Sequence, residues 1–231
     1  MKINRKWLRL AICGMFFIGA FWFSREAFLL VQNTQEQKVV AIDPGHGGFD
    51  GGFTPEAING KQWTEKEINL SVALILKEKL EEAGYKVVMT REVDEGLDRE
   101  GDSNKKRSDM QKRVALINES NADIAVSIHQ NSFSQESSRG AQTFYHPTSV
   151  EAQKLAESIL EGIKVVVKDE NHRVAKSNDS YYMLKKSTCP LVIVECGFLS
   201  NYEEAQLLIT SEYQEKIAEG ITQGISAYFT H

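Results

Sequence analysis

The chain has 231 residues, of which 42% are hydrophobic and 26% are charged, and its formal net charge is -5. An acidic balance without a basic stripe argues against nucleic acid as a partner. Once an apolar N-terminal segment is set aside, the remainder is long enough for one full-sized domain. The ordinary glycine and proline contents argue against long disordered regions.

Residues 1–31 are predicted to form a membrane anchor or a signal segment. Four basic residues precede an uncharged, mostly apolar run over 10–23, and the basic flank predicts that the rest of the chain lies outside the cytoplasm. No small-residue cleavage site follows the run, and aromatic residues at its end suit a membrane interface. We therefore favour an uncleaved anchor over a cleaved signal and secretion. Residues 32–37 are predicted to be a linker, and 38–231 the catalytic domain.

Three short apolar runs each end in a side chain that can bind a metal or carry a proton. Branched residues at 39–42 lead into Asp-Pro-Gly-His-Gly-Gly, which contains His46; a second run ends at His129, and a third at Glu195. Such runs are typical of buried strands. Because ligands of open α/β sheets bind outside the carboxyl ends of strands, the three side chains together predict a metal-assisted hydrolytic site.

Helices and strands alternate along the predicted domain. In chain order we predict a glycine-rich loop through Gly60, a helix over 65–83 with a capping box, a strand over 86–91, a charged loop over 92–109, a helix over 111–120, the strand ending at His129, a polar loop over 130–139, a strand over 141–145, a helix over 150–166, a loop over 168–180, the strand ending at Glu195, a short helix capped by 200–201, and a final helix over 213–229. This alternation predicts the α/β class, with a single twisted, mostly parallel sheet flanked by helices on both faces and a site at the strand carboxyl ends.

The predicted metal site needs a third ligand. A catalytic zinc takes three His or carboxylate ligands and leaves a fourth position to water. His46 and His129 are two candidates, and Glu65, in the first turn of the helix that follows the glycine-rich loop, is the third. The helix dipole alone would also favour an acid at that position. Glu195 is costly to desolvate without a role, so we interpret it as a general acid or base; the alternative is a salt-bridged core residue.

Five motifs then occur in a fixed order, at 42–48, 65–70, 90–91, 127–131 and 195–201. With them the chain resembles the zinc-dependent N-acetylmuramoyl-L-alanine amidases of the amidase-3 family, from about residue 38 to the C-terminus. The resemblance implies Zn²⁺ as cofactor, with His46, Glu65 and His129 as its ligands and Glu195 as the catalytic carboxylate. It also implies hydrolysis of the amide between the lactyl group of N-acetylmuramic acid and the L-alanine of the stem peptide in peptidoglycan.

Within this family the chain is most similar to the membrane-anchored amidases of spore-forming bacteria that act in cortex maturation. In those enzymes removal of the stem peptide precedes formation of muramic-δ-lactam. The resemblance implies a location in the forespore envelope. The partners it implies are glycan strands with stem peptides, the membrane through the N-terminal segment, and an activator protein as a further candidate. Gln130 stands where the family often has a small residue.

Two other functions remain open from the sequence. One is a non-catalytic peptidoglycan-binding module, which the four site residues disfavour. The other is a metallohydrolase of the same fold that acts on another amide. We further expect the charged loop over 92–109 to support the fold only weakly and to contact long glycan or a partner protein, with a tolerated surface insertion as the alternative.

Overall fold

The computed structural model describes Trp22 and residues 37–98, 101, 103–168 and 170–230. One compact unit comprises Lys38–His231. Apart from Trp22 and Gln37, the predicted anchor and linker lie outside the described residues. No helix within the described ranges is long and apolar enough to cross a membrane.

Strands and helices alternate through the described part of the domain. In chain order they are β1 (Val39–Pro44), α1 (Glu65–Glu82), β2 (Lys86–Met89), α2 (Lys105–Glu119), β3 (Ile124–Asn131), β4 (Gln142–Tyr145), α3 (Val150–Val167), β5 (Lys176–Ser177), α4 (Tyr182–Lys186), β6 (Leu191–Phe198), α5 (Tyr202–Leu208) and α6 (Ser211–Thr230).

The strands form one sheet in the order β2-β1-β3-β6-β4-β5. The four strands β2, β1, β3 and β6 are parallel. β4 is antiparallel to β6, and β5 is parallel to β4. The predicted fold class, a mostly parallel α/β sheet, is therefore confirmed.

Helices cover both faces of the sheet, as the alternation predicted. Val40 and Ile42 point to a core packed with α1, α3 and α6. Ala41, between them, points to a smaller core that includes Val114 of α2 and Met183 of α4. Because successive side chains of a strand face opposite sides, odd-numbered residues near the end of β1 lie on the α2 and α4 side.

Glycines allow α3 and α6 to pack very closely. A Cβ on Gly224 would lie 2.6 Å from the carbonyl oxygen of Ser158, and one on Gly220 would lie 2.6 Å from Cα of Ile163. Non-bonded contacts of a Cβ atom are essentially never this short. Neither position of α6 therefore tolerates a side chain unless α3 moves. The two glycines, four residues apart, lie on one face of α6.

Local signals at two helix starts are confirmed. The carboxylate of Glu67 accepts hydrogen bonds from the backbone nitrogen and the hydroxyl of Thr64, at 2.8 and 2.7 Å. Asn201 caps α5 by accepting a hydrogen bond of 2.8 Å from the backbone nitrogen of Glu204. Both arrangements satisfy polar groups that a helix end leaves without partners.

Several boundaries differ from the prediction. α2 begins at Lys105, so the predicted loop over 92–109 is too long at its C-terminal end. The first two buried residues of α2 are Asp109 and Arg113. Because both are charged, a search for periodic apolar residues does not detect this buried face. The short elements β5 and α4 were not predicted, and β6 continues past Glu195 to Phe198.

Candidate metal and catalytic site

The carboxyl ends of three neighbouring strands carry the predicted site residues. His46 follows β1, His129 lies near the end of β3, and Glu195 lies in β6 directly beside His129 in the strand register. Glu65 is the first residue of α1 and is buried. The structure therefore brings together all four residues that the sequence singled out.

One ligand atom from each of His46, Glu65 and His129 lies within 4.8 Å of the others. Oε1 of Glu65 is 3.2 Å from Nε2 of His46 and 3.0 Å from Nδ1 of His129. The two imidazole rings meet edge to face, with centroids 4.9 Å apart. Two nitrogens thus converge on one carboxylate oxygen. A set of two His and one carboxylate is a donor set of catalytic zinc, so these residues fit that metal.

The carboxylate of Glu65 is held on both oxygens. Oε2 accepts a hydrogen bond of 2.9 Å from the backbone nitrogen of Phe53, and Oε1 accepts one of 3.2 Å from that of Gln130. Burial alone would raise the pKa of Glu65, but its contacts with His129 and His46 hold that pKa well below its usual range. Glu65 is therefore ionised and oriented at neutral pH.

His46 occupies a left-handed backbone conformation, with φ of 61°. Such a conformation is uncommon for a residue with a side chain. Arg113 of α2 stabilises it by donating a hydrogen bond of 2.7 Å to the carbonyl oxygen of His46. The same guanidinium donates to Asp43 and Pro44 at the end of β1, so α2 fixes the loop that carries His46.

Asp50 is a site residue that the sequence reasoning missed. Its Oδ2 lies 3.0 Å from Nδ1 of His46 and 3.3 Å from Nζ of Lys106. Although burial would lower the pKa of His46, Asp50 and Glu65 together raise it to about 9. An acid four residues after a candidate ligand, within a glycine-rich turn, was the available signal. A carboxylate behind a metal-binding imidazole orients the ring and fixes its tautomer.

Glu195 is almost completely buried. Burial raises its pKa to about 7, and the charge of Glu65 acts in the same direction against the attraction of His129. Its Oε2 has no hydrogen-bond partner among the described residues. A carboxyl group with a pKa near neutrality can both accept and return a proton at physiological pH.

Gly45 allows His129 to lie against the loop that follows β1. A Cβ at this position would lie 2.7 Å from Cδ2 of His129 and even closer to Cε1 and Nε2 of the same ring. The backbone conformation of Gly45 is not one that requires glycine. Space for the imidazole, and not the turn, therefore explains the residue.

The charged loop over 92–109 packs against the glycine-rich turn that carries His46. Asp94 accepts a hydrogen bond of 2.9 Å from the backbone nitrogen of Gly48 and lies 2.8 Å from Nζ of Lys66. A Cβ on Gly48 would lie 2.6 Å from the backbone nitrogen of Gly96. Residues 94–96 thus contact one side of the loop that carries His46. Residues 99, 100 and 102 lie outside the described part of the chain.

Cys189 and the other described histidines, His146 and His172, do not line the pocket around Glu195. His146 contacts Thr148, His172 is exposed, and His231 is outside the described residues. Cys189 and Cys196 are free thiols, and Cys196, directly after Glu195, is buried.

Comparisons with known proteins agree on one family. The family model described as N-acetylmuramoyl-L-alanine amidase matches residues 40–227. The germination-specific N-acetylmuramoyl-L-alanine amidase of Bacillus subtilis is 40% identical over 196 residues, covering 84% of this chain and 80% of that protein. The CwlD amidase from Clostridioides difficile, solved in complex with the GerS lipoprotein, is 40% identical with a TM-score of 0.78, over 84% of this chain and 99% of that one. An N-acetylmuramoyl-L-alanine amidase from Clostridium difficile 630 is 31% identical with a TM-score of 0.72, over 84% of this chain and 97% of that one.

Proposed function

This chain belongs to the family of N-acetylmuramoyl-L-alanine amidases, and on that premise we propose the roles of its site residues. His46, Glu65 and His129 hold a zinc ion, and Glu195 transfers the proton during hydrolysis of the amide between the lactyl group of N-acetylmuramic acid and L-alanine. The observation that carries this proposal is the convergence of the three donor atoms beside a buried carboxyl group of raised pKa.

The chain's own residues account for the proton transfers. Bound zinc would supply a Lewis acid that polarises the lactyl carbonyl and acidifies water. Glu195, ionised at the start, accepts the proton that the attacking water loses as its oxygen bonds to the carbonyl carbon. Glu195 then gives that proton to the nitrogen of L-alanine as the carbon–nitrogen bond breaks. The products are a glycan with a free lactyl carboxylate and a stem peptide with a free amino group.

Mass spectrometry of peptidoglycan incubated with the protein tests the reaction. We expect stem peptides that begin with a free L-alanine, and glycan that keeps its length. In parallel, elemental analysis should find one zinc per chain in the wild type and little in His129→Ala. Undiminished zinc in that variant would remove His129 from the ligands, and intact peptidoglycan would leave a binding module or a hydrolase of another amide.

We also propose a role in the spore cortex, with the protein held at the membrane of the forespore envelope by residues 1–31. The support is the 40% identity to a germination-specific amidase together with the basic and apolar N-terminal sequence. A lipoprotein partner is proposed because a relative was solved in complex with one. Deletion of the gene for this protein in a spore-forming host should abolish muramic-δ-lactam in the cortex. An unchanged lactam content would contradict this role.

A further inference from the structure

A groove beside the candidate metal ligands has no part in the chemistry proposed above. It encloses about 530 Å³, a size typical of ligand-binding clefts. The loops that follow β1 and β3, together with the start of α5, line it with three aromatic and two acidic side chains, Phe53, Phe133, Tyr202, Glu56 and Glu136. Ser132 lines both this groove and the pocket around Glu195. The groove therefore adjoins the pocket around Glu195, and one ligand could occupy both.

Hydrogen bonds hold the walls of the groove in place. The backbone nitrogen of Phe133 donates to Oγ of Ser200 over 2.9 Å, and Nδ2 of Asn201 donates to the carbonyl oxygen of Glu136 over 2.8 Å. On the opposite wall, the backbone nitrogen of Phe53 donates to the carboxylate of Glu65. The groove is thus preorganised, and one wall is attached directly to a candidate metal ligand.

Two of the aromatic side chains are open to solvent. Phe133 is 58% exposed and Tyr202 is 55% exposed. Large aromatic side chains left in water on a preformed groove indicate a surface for a ligand. Flat apolar rings offer a face on which the C–H faces of sugar rings can pack. The carboxylates beside them can accept hydrogen bonds from sugar hydroxyl groups.

The charges in the groove discriminate between the two parts of the substrate. Glu56 and Glu136 are acidic, and none of the described residues that line the groove is basic. A stem peptide ends in a carboxylate, which these residues would repel, whereas an N-acetylated sugar chain is uncharged. The pocket around Glu195 instead includes Lys106. Its Nζ lies 3.3 Å from Oδ2 of Asp50, but 60% of its side chain stays exposed and can contact an anionic peptide.

We propose that this groove binds the uncharged N-acetylated glycan on one side of the scissile amide, with sugar rings stacked on Phe133 and Tyr202. The stem peptide extends past Lys106 on the other side. This inference rests on the proposed function, because the amide beside Glu195 joins these two parts of peptidoglycan. The groove thus selects for glycan length, and the metal site performs the cleavage.

Calorimetric titration of the full chain with an N-acetylglucosamine tetrasaccharide tests the groove without any cleavage. We expect binding by the wild type, and a Kd raised about tenfold in Phe133→Ala and in Tyr202→Ala, which corresponds to about 1.4 kcal/mol. Leu207→Ala is the matched control, because Leu207 is 42% exposed on the same helix as Tyr202 and does not line the groove. Wild-type affinity in both aromatic variants, or no binding by the wild type, would overturn the assignment.

Kinetics on two substrates separates the glycan from the stem peptide. On peptidoglycan strands Phe133→Ala should raise KM about tenfold and leave kcat within twofold, whereas on a muramoyl-peptide without neighbouring sugars neither constant should change. An equal rise in KM on the short substrate would place the peptide in the groove and refute the proposal. A wild type that binds the tetrasaccharide but cleaves neither substrate would refute the proposed reaction, while the groove would remain a glycan site.

Discussion

At Glu195 the proposed proton transfer and the stability of the fold make opposite demands on one residue. The folded protein holds its proton more tightly than the unfolded chain, because burial raises the pKa of this carboxyl group to about 7 from about 4.3 in the unfolded state. Between these two pH values the stability of the metal-free protein falls as pH rises, and above pH 7 the full penalty is present.

Replacement of Glu195 by Gln should remove this penalty. In the presence of a chelator at pH 8 we expect Glu195→Gln to be more stable than wild type by on the order of 3 kcal/mol, with no difference at pH 4. Denaturant titrations at the two pH values measure this. The same variant should keep zinc and lose roughly 10²-fold or more in rate. Glu203→Gln, an exposed change on α5, should alter neither quantity, and a destabilised Glu195→Gln at pH 8 would contradict the burial argument.

Gly45 makes a second test at the scale of one residue. An alanine Cβ would push the ring of His129 away from the other donors, so Gly45→Ala should weaken zinc binding by about 10- to 100-fold, the range for residues that orient a metal ligand. Competition with a chromogenic chelator measures the affinity. Gly51→Ala is the control, because its Cβ would meet only Cγ2 of Thr64 at 3.9 Å. Equal losses in both variants would indicate a general effect on the glycine-rich loop.

At the scale of elements, the contact between α3 and α6 decides whether a glycine-to-alanine substitution stabilises or destabilises the protein. An exposed helical glycine replaced by alanine stabilises a protein by up to about 1 kcal/mol. Gly224→Ala should instead destabilise the protein by about 2 kcal/mol, because its Cβ would overlap Ser158 and Ile159 of α3 and overpacking costs about 1–3 kcal/mol. Thermal unfolding measures this change. Ala227→Gly, at an exposed position of α6, is the comparison, because it changes helix propensity without contact between the helices. A stabilised Gly224→Ala would mean that the helices separate without cost.

The sequence predicted those elements whose burial is apolar. The runs before His46, His129 and Glu195 are buried strands because branched side chains fill both faces of the sheet. The start of α2 was missed because its inward residues, Asp109 and Arg113, are polar, and only the fold shows what they pair with. Asp50 was missed for a similar reason, since its role depends on a turn that brings it back to His46.

The charged loop over 92–109 was expected to support the fold only weakly, and this stays a prediction. The structure adds that Asp94 and Gly96 of this loop lie against the turn that carries His46. A contact with glycan or a partner stays a prediction. The pattern of charges indicated that this segment is exposed, but it could not indicate that the segment would contact the backbone of Gly48.

At the scale of the whole molecule, the N-terminal segment supplies the remaining prediction. Four basic residues, an apolar run and no cleavage site lead us to expect an uncleaved anchor. Intact-mass analysis of protein from the membrane fraction should therefore show the native N-terminus. A soluble mature chain that begins between about residues 25 and 38 would instead support a cleaved signal.

The pairing of β3 with β6 has a consequence for the order of folding. His129 and Glu195 become neighbours only when these two parallel strands pair, and two strands, two helices and their loops lie between them in the chain. Such a distant contact forms late, because its loop-closure entropy is lost before any contact compensates for it. A partly synthesised chain thus lacks the pairing of His129 with Glu195 on which the proposed hydrolysis depends. By this topology the proposed site stays incomplete until the last strand of the domain has paired.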